Sequence, residues 1–146
     1  MKHLLLALLF SGFCMAQDAD YNAELARKLG ADDYGMRKYV LVMLKTGDAK
    51  PSDEERKKLM EGHLANINKL AEAGTLSVAG PFMKNDQDLR GLFLFAVDTI
   101  DEAKALTETD PAVKAGMLKA EYIQWYASAA LRETNRIHNT ITKIKF

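Results

Sequence analysis

Tyr39-Val40-Leu41-Val42-Met43-Leu44, closed by Thr46-Gly47-Asp48 and followed by Pro51-Ser52-Asp53-Glu54-Glu55, is the stretch that decides how the rest of the chain is read. The first run is rich in strand formers, apolar at both parities and stopped by a turn signal, which predicts a strand. In the second, Ser52 stands three residues before Glu55. That is capping-box spacing, in which hydroxyl and carboxylate each satisfy a backbone N–H left over at a helix start. The helix begun there is predicted to reach Ala73, with Gly74 as its C-terminal stop.

Downstream, Leu76 to Met83 predicts a second strand, broken by Gly80-Pro81; proline cannot donate to a ladder, so this strand is an edge, bulged or ending there. The run Leu92-Phe93-Leu94-Phe95-Ala96-Val97 predicts a third strand. Thr99-Ile100-Asp101-Glu102 repeats the capping box and starts a helix to about Thr107. After Thr109-Asp110-Pro111 and a helical turn through Val113, a fourth strand is expected around Leu118 to Tyr126. Strand, helix, strand, strand, helix, strand is the ferredoxin-like βαββαβ order: an α+β fold with an antiparallel sheet and both helices on one face.

The other face of that sheet is not polar. Leu41 and Val42, Phe93 and Leu94 are large and apolar at both parities, which a half-solvated sheet would not carry. Two sheets packed face to face in a symmetric homodimer are the expected solution. The alternative is a cover from within the chain, residues 127–146, with a predicted helix over Leu131 to Ile141.

The ends fall outside this domain. Met1-Lys2-His3, the apolar run Leu4 to Phe13 and the small-residue end Cys14-Met15-Ala16 predict a signal peptide over residues 1–16, and hence an exported, periplasmic or secreted chain. The apolar run is too short for a stable membrane span. Residues 17–36 form an expected N-terminal arm, 37–126 the domain and 127–146 a helical extension. Lys and Arg total 20 against 20 Asp and Glu, with both signs interspersed, so no electrostatic footprint for nucleic acid exists. The single cysteine, Cys14, leaves with the leader, taking disulfides and thiol chemistry with it. Histidine is too scarce for a metal site, and no glycine-rich phosphate loop occurs. No metal or cofactor is expected.

Chemistry then centres on His63. It lies in the stripe Leu59, Met60, His63, Leu64, Ile67, Leu70, a three-and-four spacing that aims the imidazole at the buried side of the helix. An inward histidine needs a polar partner, and the candidate is Asp110. Each has a plainer reading, His63 as a satisfied core histidine and Asp110 as the cap of the turn that Pro111 begins. A carboxylate has acceptor sites enough for both roles. A His–Asp pair without a neighbouring nucleophile suits proton transfer: the carboxylate fixes the tautomer and the second ring nitrogen faces the substrate. Ser77 and Ser128 are poor nucleophile candidates. Ser77, Gly80 and Phe82 are carried as pocket residues, and Tyr39, Phe82 and Trp125 as aromatics that would stack on a cyclic ligand or simply fill the core. Arg37 and Arg90 are candidates for an acidic group on the ligand or for solvated charge.

Tyr39-Val40-Leu41-Val42, His63-Leu64, Gly74-Thr75-Leu76, Ala79-Gly80-Pro81-Phe82, Asp110-Pro111, and a last strand with Ile123 and Trp125 together resemble the YCII-related (YciI-like) family over about Arg37 to Tyr126. The resemblance implies a dimeric α+β barrel. It also implies a site made of a first-helix histidine and an aspartate after the second helix, His63 and Asp110 here, and proton-transfer chemistry such as isomerisation, elimination or lactone reactions on a small organic molecule. A non-catalytic ligand-binding module or a structural dimer is the alternative.

Overall fold

The computed structural model describes residues 21–144; the expected leader and the start of the expected arm lie outside the described residues. Four strands, β1 (Met36–Thr46), β2 (Leu76–Pro81), β3 (Leu89–Phe95) and β4 (Leu118–Ser128), form one antiparallel sheet in the order β2-β3-β1-β4. The long helix α2 (Asp53–Glu72) crosses from β1 to β2, and α3 (Ile100–Thr107) with the short α4 (Pro111–Lys114) crosses from β3 to β4. An arm helix, α1 (Ala23–Leu29), precedes the sheet. A 3-10 turn (Ala129–Glu133) and α5 (Thr134–Ile141) follow it. This is the ferredoxin-like α+β arrangement.

Local chemistry accounts for the helix ends. Ser52 with Glu55, and Thr99 with Glu102, each close a reciprocal capping box. Gly74, at φ 73°, takes the left-handed turn that ends α2. Pro81 ends β2 on an edge of the sheet, where its missing N–H leaves no ladder bond unmade.

Alternation sorts the strand residues onto two faces. Val40, Val42, Leu44, Phe93 and Phe95 point toward the helices and bury against Leu70 of α2 and Ala103 of α3. Tyr39, Leu94 and Ala127 form a second cluster on the opposite face, with Leu131 of the 3-10 turn packed against it. The C-terminal segment therefore covers one end of the second face, while Ile123 and Trp125 of β4 remain exposed on the rest. The predicted helix over Leu131 to Ile141 is instead the 3-10 turn followed by α5, and Asn135 of α5 donates to the Leu76 carbonyl at 2.6 Å beside the edge strand. The arm rests on the same turn through the Arg132 to Lys28 carbonyl bond. No helix of the described residues is long and apolar enough to cross a membrane.

Candidate functional site

α2 carries the site because its stripe Arg56, Met60, His63, Leu64 and Ile67 recurs at helical spacing and faces the sheet beneath. Between this stripe and the ends of β1, β2 and β3 lies a cavity of about 770 Å³. Its floor is apolar, with Leu44, Phe93 and Leu118 among the lining residues. Arg56, Met60, Leu64, Gly80, Pro81 and Arg90 are the exposed members and form its mouth.

His63 lies on the inner wall, 8% exposed, with its ring stacked on Phe93 at a centroid distance of 5.8 Å. Its Nδ1 meets Asp110 Oδ2 at 2.6 Å. Asp110 is fully buried, and its other oxygen, Oδ1, accepts the Ala112 N–H at 2.8 Å, so one carboxylate both caps α4 and holds the imidazole. An ionised carboxylate accepts from Nδ1–H, and in the neutral ring the lone pair then sits on Nε2. Nε2 has no hydrogen-bond partner among the described residues, and it is not among their solvent-inaccessible unpartnered side-chain atoms. His63 is one of the residues that line the cavity.

The close approach of the two elements depends on Gly62. A Cβ built there would stand 2.9 Å from Pro111 Cγ, so glycine lets α4 lie directly against α2. That contact brings together two side chains 47 positions apart in sequence.

The remaining candidates divide. Gly80 lines the cavity, whereas Tyr39, Ser77, Phe82 and Trp125 do not. Tyr39 pairs with Trp125 across β1 and β4, so both project from the face opposite His63. There Tyr39 is wholly buried and donates its hydroxyl to the Ser128 carbonyl at 3.0 Å; burial pushes that hydroxyl up from the ordinary tyrosine range. These two aromatics are packing groups of the second face and do not stack on a ligand in the His63 cavity. Ser77 falls at the register shift between Leu76 and Val78, which turns it into a separate cleft of about 370 Å³ beside α5. Phe82 lies just past the end of β2, where its N–H bonds the Arg90 carbonyl and its ring is part-exposed away from the cavity lining. Arg37 donates to the Ala96 and Leu29 carbonyls, ties the arm to the sheet and lies outside the cavity lining. Arg90 does line it, bonded to Thr46 and paired with Asp88 at 3.0 Å.

Arg56 is a lining residue that the sequence reading misses, because it stands in a charged first turn with Asp53, Glu54 and Glu55. The signal is present in its spacing: it leads the stripe that continues through Met60, His63, Leu64 and Ile67.

Among solved structures, the chain is similar to 5-chloro-2-hydroxyhydroquinone dehydrochlorinase from Burkholderia phenoliruptrix AC1100, in a complex with 2,5-dihydroxybenzoquinone. The identity is 25%, over 60% of this chain and 90% of that one, with a TM-score of 0.40. It is also similar to a dimeric protein of unknown function and ferredoxin-like fold from Bacteroides fragilis NCTC 9343, at 20% identity over 62% of this chain and 95% of that one, with a TM-score of 0.39. No curated protein matches. The family model of the YCII-related domain matches residues 38–126, more than half of the chain, and the protein belongs to that family.

Proposed function

We propose that His63 and Asp110 form a proton-transfer pair acting on a small organic molecule held in the cavity. The observation that carries this reading is the division of labour on one imidazole: Nδ1 is held by a buried carboxylate at 2.6 Å, and Nε2 has no partner among the described residues while His63 lines a cavity with an apolar floor. Nε2 then takes a proton from an acidic C–H of the substrate; in isomerisation or lactone chemistry the imidazolium returns it to another substrate atom, and in elimination the C–H electron pair forms the double bond and expels a leaving group, the proton passing to that group or to water. Asp110 orients the ring and stabilises the imidazolium while it holds the proton.

Deuterium incorporation tests this whichever of those reactions the protein performs. Cyclic ketones and unsaturated lactones are incubated with the protein in D₂O, and exchange at carbon is followed by NMR. Wild type is expected to exchange a member of the panel, and His63→Ala to lose roughly 10²–10⁴-fold of the rate. A folded His63→Ala protein exchanging at the wild-type rate sinks the reading.

The same reading takes the protein as an exported homodimer. Export rests on the leader pattern of residues 1–16, and a mature N-terminus found at Met1 instead of near Gln17 would refute it. The dimer rests on Ile123 and Trp125, apolar and about half exposed on the uncovered part of the sheet.

A further inference from the structure

The polar groups of the His63 cavity are unevenly charged. Thr46, Arg56, His63 and Arg90 are its polar side chains, and no Asp or Glu is among the described residues that line it. Arg90 is already engaged, by Thr46 and by Asp88. Arg56 has no ion pair and no side-chain hydrogen bond among the described residues. An unpaired guanidinium at the mouth of a pocket with low-dielectric walls concentrates positive potential there, and its planar fork matches a carboxylate with two parallel hydrogen bonds.

From this we infer that the cavity selects a small organic acid, its carboxylate held by Arg56 at the mouth and its apolar body lying among Met60, Leu64 and Leu118 beside His63. The inference rests on the proposed proton-transfer reading for the position of the reacting carbon. Arg56 and His63 are seven residues, two helical turns, apart, roughly 10 Å along the axis of α2. That separation suits an acid whose charge and reacting carbon lie at opposite ends of one small molecule. The walls supply the remaining selectivity: Met60, Leu64, Ile67 and Leu118 offer no hydrogen bond, so a sugar laid against them would leave hydroxyl groups unpaired.

Benzoate, benzamide and acetate are the probes, titrated into the full-length mature protein while the His63 ring resonances are followed by NMR. Benzoate and benzamide share a ring and differ in charge; acetate keeps the charge without the ring. Benzoate is expected to shift the His63 signals and to bind roughly tenfold more tightly than benzamide, with acetate weaker than both. In Arg56→Gln, an exposed substitution, benzoate and benzamide should bind equally while still shifting His63. If the benzoate preference survives Arg56→Gln, or is lost only in Arg90→Gln, the assignment of the carboxylate to Arg56 is overturned and the cavity reading stands. If no probe moves the His63 signals, the proposed ligand cavity falls, and the acid with it.

Discussion

Asp110 has two demands on one side chain, and they separate by substitution. Its Oδ1 caps α4 and its Oδ2 holds His63. Replacement by alanine removes an N-cap, typically about 1 kcal/mol, and strands the Nδ1 of a buried imidazole, about another 1–3 kcal/mol. Asp110→Ala should therefore unfold in urea with a stability loss of roughly 2–4 kcal/mol. Asp110→Asn keeps an acceptor for the Ala112 N–H and should retain most of the stability. A loss in Asp110→Ala no larger than that of an exposed cap would mean that the 2.6 Å contact with His63 contributes nothing.

At the scale of elements, the site is where α2 and α4 touch, and Gly62 sets that distance. Alanine in a helix interior is favoured over glycine by about 1 kcal/mol, so on propensity alone Gly62→Ala would stabilise α2. The Cβ, however, meets the rigid Pro111 ring at 2.9 Å, and overpacking of this kind costs about 1–3 kcal/mol. The variant is expected to be less stable than wild type in urea denaturation, with His63 signals displaced because α4 carries Asp110. A more stable variant with unmoved His63 signals would show that α4 yields freely.

What the sequence discloses about these elements follows how local each signal is. The capping boxes Ser52–Glu55 and Thr99–Glu102 involve atoms three residues apart and are readable directly. So is the stop at Gly74; Gly80-Pro81 marks an edge, a bulge or an end within the strand expected to Met83, and the structure ends β2 at Pro81. Face assignment is different: β1 and β3 are apolar at both parities, so alternation alone does not say that Tyr39 and Trp125 leave the His63 side. Register decides it. Ser77 is displaced by a ladder irregularity that no local pattern marks. The helix stripe places His63 on the sheet side of α2, but the same stripe extended one turn back to Arg56 is masked by that turn's acidic neighbours.

For the molecule as a whole, the proposed dimer turns on the second face of the sheet. The 3-10 turn and Leu131 close the end over Tyr39, Leu94 and Ala127. Across the rest, Ile123 and Trp125 stay exposed, beside the part-buried Leu41, Met43 and Leu92. A second copy laid on this face would bury them, and the charged substitution Trp125→Glu would oppose it at little cost to the monomer fold. Light scattering coupled to gel filtration should give a dimer for wild type and a monomer for Trp125→Glu; a wild-type monomer at tens of micromolar would exclude the assembly.

The proposed chemistry stands on one imidazole with a fixed tautomer and an open nitrogen. Long-range ¹H–¹⁵N NMR of His63, at a pH where the ring is neutral, reads both nitrogens at once. The expected spectrum has the proton on Nδ1 and a bare, acceptor-type Nε2 in wild type, reversed in Asp110→Asn, where the amide N–H₂ turns Nδ1 into the acceptor. A wild-type ring protonated on Nε2, or one unchanged by Asp110→Asn, would contradict it.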